Sequence, residues 1–109
     1  IKNLNKMFGN MLNKKMMEKM QGQMQETQSK LNNITVMGEA ENGNIKVVAN
    51  GNRMLNSIEI NQDFFATASK EEIADLILTA ANRALEQAER VEKSEMSHAA
   101  MGMMPGLGK

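Results

Sequence analysis

The first third of the chain places its apolar residues on a heptad. Met17, Met20, Met24, Thr27, Leu31 and Ile34 follow one another at intervals of 3, 4, 3, 4 and 3. That alternation keeps a narrow stripe on one side of an α-helix, the pattern of a coiled-coil seam. It predicts a helix over residues 6–33, about 42 Å long. In a chain of 109 residues there is too little material elsewhere to cover such a helix. It must project, pair with a second helix, or do both. Gly22 lies inside it and costs about 1 kcal/mol relative to alanine, but the pattern continues past it.

The length predicts one domain over residues 1–95 and a flexible Met- and Gly-rich tail over residues 96–109. Phe8, Phe64 and Phe65 are the only aromatic residues, so the core must be aliphatic. A small, elongated chain buries little surface by itself, and self-association is the simplest way to hide its apolar stripes. There is no cysteine, which excludes a disulfide framework and a thiolate zinc site. No run of 18 apolar residues is present to span a membrane, and no charged-then-apolar leader opens the chain.

The net charge is zero, but it is unevenly spread. Residues 1–33 carry six lysines against two glutamates, a net of +4; residues 34–109 carry seven basic and eleven acidic groups, a net of −4. The basic end can meet an anionic polymer or surface, or the acidic half of a second copy.

The middle of the chain alternates with a period of two, which predicts a three-stranded antiparallel meander. Residues 34–41 form the first strand. Asn42-Gly43 favours a type I′ turn, which needs positive φ at both central positions. Residues 44–50 form the second strand, with Ile45, Val47 and Ala49 inward, and Asn50-Gly51-Asn52 turns into a third over residues 53–60. There Met54, Ile58 and Ile60 share a face and Glu59 takes the other. Phe64 and Phe65, in the connection 61–68, are expected to plug the core. Ser69 and Glu72 form a capping box. The helix they open is predicted to end near residue 95, with Ile73, Ile77, Ala80, Ala84, Ala88 and Val91 on one face and Leu76 at its margin.

The order of these elements and several local motifs resemble the YbaB/EbfC family of bacterial nucleoid-associated proteins. Met7-Phe8-Gly9 precedes a Met-, Gln- and Lys-rich helix, which leads into Val36-Met37-Gly38-Glu39. There follow Asn44-Ile45-Lys46-Val47-Val48-Ala49-Asn50-Gly51, Ile58-Glu59-Ile60, Asp75-Leu76-Ile77, Ala80-Ala81-Asn82-Arg83-Ala84 and the Met/Pro/Gly tail. The resemblance covers nearly all of residues 7–109 and rests on the ordered set rather than on any one piece. It departs at Asn10-Met11-Leu12-Asn13, where the family often has a Gly-rich lead, and at Arg53-Met54-Leu55-Asn56, where adjacent basic residues are common.

The resemblance implies an α+β fold with a long N-terminal helix, a three-stranded antiparallel sheet and a long C-terminal helix. It implies a homodimer with projecting helical arms. The implied function is binding of double-stranded DNA with little sequence preference, in the cytoplasm and its nucleoid, by a protein that is not an enzyme and has no cofactor, no metal and no small-molecule substrate. Lys14, Lys15, Lys19, Lys30, Arg83 and Arg90, basic residues of the two long helices, are the candidate DNA contacts.

On a helical wheel Lys15 and Lys19 lie about 40° apart with Lys30 beside them, on a flank away from the Met seam. Such a flank suits phosphates, which ask for charge more than geometry; Glu18 and Glu26 partly neutralise it. Arg83 and Arg90 can reach a phosphate or pair with Glu86 and Glu89. Twelve methionines raise a soft-metal reading, but their helical spacing points to adaptable packing. His98 has no partners at a spacing that would make it a base or a ligand. One rival reading is a non-enzymatic adaptor that uses the heptad helix to bind another protein; a second, a basic amphipathic helix lying on an anionic membrane, is disfavoured by the lack of Trp and the scarcity of Phe and Leu.

Overall fold

A computed structural model describes the backbone of residues 2–103 and the side chains of residues 14–102. The order of elements is α1 (Lys2–Asn32), β1 (Thr35–Ala40), β2 (Ile45–Asn50), β3 (Leu55–Ile60), α2 (Gln62–Thr67) and α3 (Lys70–Met103). The fold is therefore α+β. The three strands form an antiparallel sheet in the order β1-β2-β3, and the described residues extend over 78 × 30 × 16 Å.

The meander follows its turn chemistry. The Asn44 amide donates to the Glu41 carbonyl at 3.1 Å, with Asn42 and Gly43 between them at φ 56° and 86°. These are the positive angles that a type I′ turn demands. Glu41 is also at positive φ, and the β1–β2 ladder closes at Ala40 and Ile45. At the next turn the Asn50 side chain accepts from the Asn52 and Met54 amides, and Arg53 takes the left-handed conformation at φ 65°.

The core lies where α3 crosses β1 and β2. Ala40, Ile45, Val47, Ala49, Ala80 and Ala84 form one buried cluster, with Val36, Leu76 and Ile77 packed at its rim. The small residues of α3 let its backbone approach the sheet closely. The Ser69 hydroxyl accepts from the Glu72 amide at 3.1 Å, so the expected helix start is in place.

Four expectations change. β3 carries a register shift opposite Val48 and Ala49 that pairs Ala49 with Leu55; Leu55, not Met54, therefore shares the face of Ile58 and Ile60. Only Phe64 packs on the core, while Phe65 is 52% exposed. Residues 62–67 form a short helix capped by Asn61, whose side chain accepts from the Phe64 amide. α3 continues past residue 95 to Met103, because Met96 and Ala99 find apolar partners on α1.

The junction between α1 and the sheet sets the direction of α1. The Gly51 amide donates to the carbonyls of Leu31 (2.9 Å) and Ile34 (3.0 Å). The Asn52 side chain donates through Nδ2 to the Gln28 carbonyl at 2.9 Å and to Asn32 Oδ1 at 2.5 Å. Carbonyls at a helix C-terminus lack intrahelical partners, and the β2–β3 turn supplies them. Asn52→Ala is expected to lower stability by about 1 kcal/mol and to loosen the end of α1. Thermal denaturation checks the first effect, and faster hydrogen exchange at Leu31 and Asn32 the second.

Candidate nucleic-acid interface

α1 and α3 run antiparallel beyond the sheet. The Lys30 Nζ lies 2.9 Å from Glu95 Oε2, and Thr27 shares a groove with His98 and Ala99. The partner that the heptad finds is therefore α3 of the same chain. Leu31 and Thr27 are buried, and the Thr27 hydroxyl is satisfied by donating to the Gln23 carbonyl within its own helix. Further from the sheet the seam opens: Met24, Met20 and Met17 are 49%, 48% and 61% exposed. The α1–α3 pair forms an arm, tight at its root and looser outward.

The six basic candidates fall into three situations. Lys14, Lys15 and Lys19 are exposed on α1. The ion pairs among the described residues are Lys30–Glu95, Arg53–Glu92 and Lys93–Glu89, so these three lysines have no carboxylate partner among them. Lys15 and Lys19 share a flank; Lys14 stands about 100° from Lys15 round the helix. Lys30 is 64% exposed but is tied to a Glu95 that is only 17% exposed, so its charge is already matched. Arg83 uses Nη1 to donate to the Glu39 carbonyl at 2.7 Å, which fastens α3 to the end of β1. Arg90 is exposed on α3.

The candidates do not form one patch. Lys30 and Glu95 fix the helix register, so Lys19 lies eleven residues further out along α1 and Arg90 five residues inward along α3. At 1.5 Å per residue they are roughly 24 Å apart along the arm. The candidates are spread along the arm, and Glu26, Glu92 and Glu95 lie in the same stretch.

Arg53 is the functional surprise of the basic set. It bonds Glu92, and that hydrogen bond and the carboxylate charge raise its guanidinium pKa above the ordinary value. It braces the β2–β3 turn against α3, with its charge matched by Glu92. The signal for this was its place directly after Asn50-Gly51-Asn52, in a turn that must meet another element.

Among the described residues no group of three or more His, Asp or Glu could hold a metal ion. No described helix is long and apolar enough to cross a membrane.

Comparison with known proteins agrees with this architecture. The model of the YbaB/EbfC DNA-binding family matches residues 5–104. A nucleoid-associated protein of Thermoanaerobacter pseudethanolicus is 40% identical over 94 residues, covering 85% of each chain. One from Ruminiclostridium cellulolyticum is 36% identical over 102 residues, covering 91% of this chain and 89% of the relative. The crystal structure of an uncharacterized Helicobacter pylori protein superposes with a TM-score of 0.60 at 16% identity, over 82% of this chain and 99% of the other, which shows a shared fold. The chain belongs to the YbaB/EbfC DNA-binding family.

Proposed function

We propose that this chain is a nucleoid-associated protein that binds double-stranded DNA as a homodimer, with little sequence preference, through the basic flank of its helical arms. The observation that carries this reading is the contrast within the basic set. Lys15 and Lys19 stand exposed and without a carboxylate partner among the described residues, whereas Lys30, Arg53 and Lys93 are paired. Long flexible lysines on a rod are matched to phosphate oxygens, whose contacts position a protein on DNA without reading bases. Residues 14–34 contain no aromatic residue, so stacking on unpaired bases is disfavoured and the duplex is the better ligand. The names of the relatives are consistent with a place in the nucleoid.

The homodimer reading rests on β3. It is an outer strand of the sheet, and α3 covers β1 and β2 instead. Ile58 stands opposite the fully buried Val47 yet is 49% exposed, and Leu55 is 47% exposed. An outer strand with apolar residues and unpaired backbone groups calls for cover, and a second copy supplies it symmetrically. Ile58→Asp is expected to convert the dimer to monomer in analytical ultracentrifugation, with the helical content retained. A variant that sediments as the unaltered dimer would move the interface elsewhere.

Fluorescence anisotropy with two unrelated duplexes and a single strand of equal length tests the ligand. Both duplexes should bind equally and the single strand more weakly. Preference for one duplex, or for the single strand, would overturn the reading.

A further inference from the structure

The outer half of the arm carries a feature that DNA binding does not use. Met20 and Met24 of α1 and Met96 of α3 line one cleft between the helices, of about 190 Å³, together with Thr27, Ala99 and Ala100. The three methionines are 48%, 49% and 44% exposed, so each residue is half packed and half open to solvent. The chain has no cysteine, which leaves thioethers as its only readily oxidised sulfur.

We propose that Met20, Met24 and Met96 form an oxidation-sensitive latch between α1 and α3, with a peroxide as the oxidant. The step is a two-electron oxygen transfer. The thioether sulfur attacks one peroxide oxygen, an S–O bond forms as the O–O bond breaks, the sulfur becomes a sulfoxide, and the peroxide is reduced to water. The product is polar and needs hydrogen bonds. The cleft walls around it are mostly methyl and methylene groups; Gln23 is the one side-chain amide lining it, and the Thr27 hydroxyl is already committed to its own helix. One Gln23 side chain cannot serve three sulfoxides, so the others turn outward to water, and the apolar contact that joins the helices is lost. The root of the arm is held separately by buried Leu31, the Lys30–Glu95 pair and the Asn52 bonds. Opening is therefore confined to the outer arm, and the sheet core is untouched. Lys15 and Lys19 lie within ten residues of this latch on α1, so a consequence for DNA affinity rests on the function proposed above; the latch itself does not.

The test compares the full chain with the variant Met20→Leu, Met24→Leu, Met96→Leu, each treated with hydrogen peroxide. Leucine preserves the apolar packing and removes the reactive sulfur, while the remaining methionines stay as a control for oxidation elsewhere. Peptide mass spectrometry reports which sulfurs gain oxygen, and hydrogen exchange reports the arm. The wild type is expected to oxidise at all three positions and to exchange about tenfold faster over residues 20–27 and 96–100, with β2 unchanged. The leucine variant should keep its protection, and methionine sulfoxide reductases should restore that of the wild type. Unchanged exchange in fully oxidised wild type, or equal loss in the leucine variant, would overturn the latch. DNA binding is read in parallel: a chain that never binds DNA refutes the proposed function, and the exchange result still decides the latch.

Discussion

Gly38→Ala is expected to cost about 3 kcal/mol or more, at the upper end of what overpacking a core does. Gly38 sits on β1 opposite Val47, on the face that α3 covers. A Cβ built there would lie 2.1 Å from the Ala80 carbonyl oxygen, 2.4 Å from the Ala84 amide nitrogen and 3.0 Å from the Arg83 carbonyl carbon. All three are backbone atoms, so no side chain can swing away to make room. Either α3 lifts from the sheet, and Ala80, Ala84, Ile45 and Val47 lose their contacts together, or β1 bends and its ladder with β2 breaks. A domain of this size has about 5–15 kcal/mol of stability in total, and the melting temperature should fall by roughly 12–24 °C. Gly22→Ala is the control. Nothing lies within 4 Å of a Cβ there, and the substitution should stabilise α1 by up to about 1 kcal/mol. Calorimetry of the two variants separates a glycine that is needed for close approach from one that is merely tolerated.

The second large effect is on binding. Lys15→Ala with Lys19→Ala removes the exposed pair that shares one flank of α1. If a dimer neutralises about six phosphates, losing two lysines from each protomer removes four, and the slope of log affinity against log salt should change from about −5 to about −2. At 0.1 M salt the affinity should fall by roughly two to three orders of magnitude. Neither residue touches the core or β3, so the melting temperature and the oligomeric state should stay as they are. Lys30→Ala should do less to the salt slope, because Glu95 already matches that charge, and more to the stability of the arm. A gel-shift titration in which the double variant binds like wild type would remove the flank from the interface.

Much of the fold was legible because its signals are local. The alternation of Ile45, Val47 and Ala49, the Asn42-Gly43 turn, the Ser69 cap and the alanine stripe of α3 each act within a few residues, and the structure has all four. What was not legible depends on distant partners. The register shift beside Ala49 decides that Leu55 rather than Met54 joins the inner face, and no window of β3 alone encodes it. Residues 96–103 lack a helical period, yet α3 runs through them because α1 offers Met20 and Met24 as cover. Two adjacent phenylalanines cannot both face inward from one short helix, and only the packing selects Phe64. The basic candidates were found by residue type, but their sorting was not. That Lys30 meets Glu95 follows from the antiparallel register of two helices far apart in sequence, and that Arg83 holds the Glu39 carbonyl follows from the close approach of α3 to β1.

Exposed lysines on a helical arm that bind duplex phosphates do so by displacing counterions. The most direct measurement is the dissociation constant of the wild-type protein for two unrelated duplexes across a salt series. Parallel lines for the two sequences are expected, with a slope of about −5. Binding that is insensitive to salt, or lines of different slope and position for the two duplexes, would contradict this mode of binding.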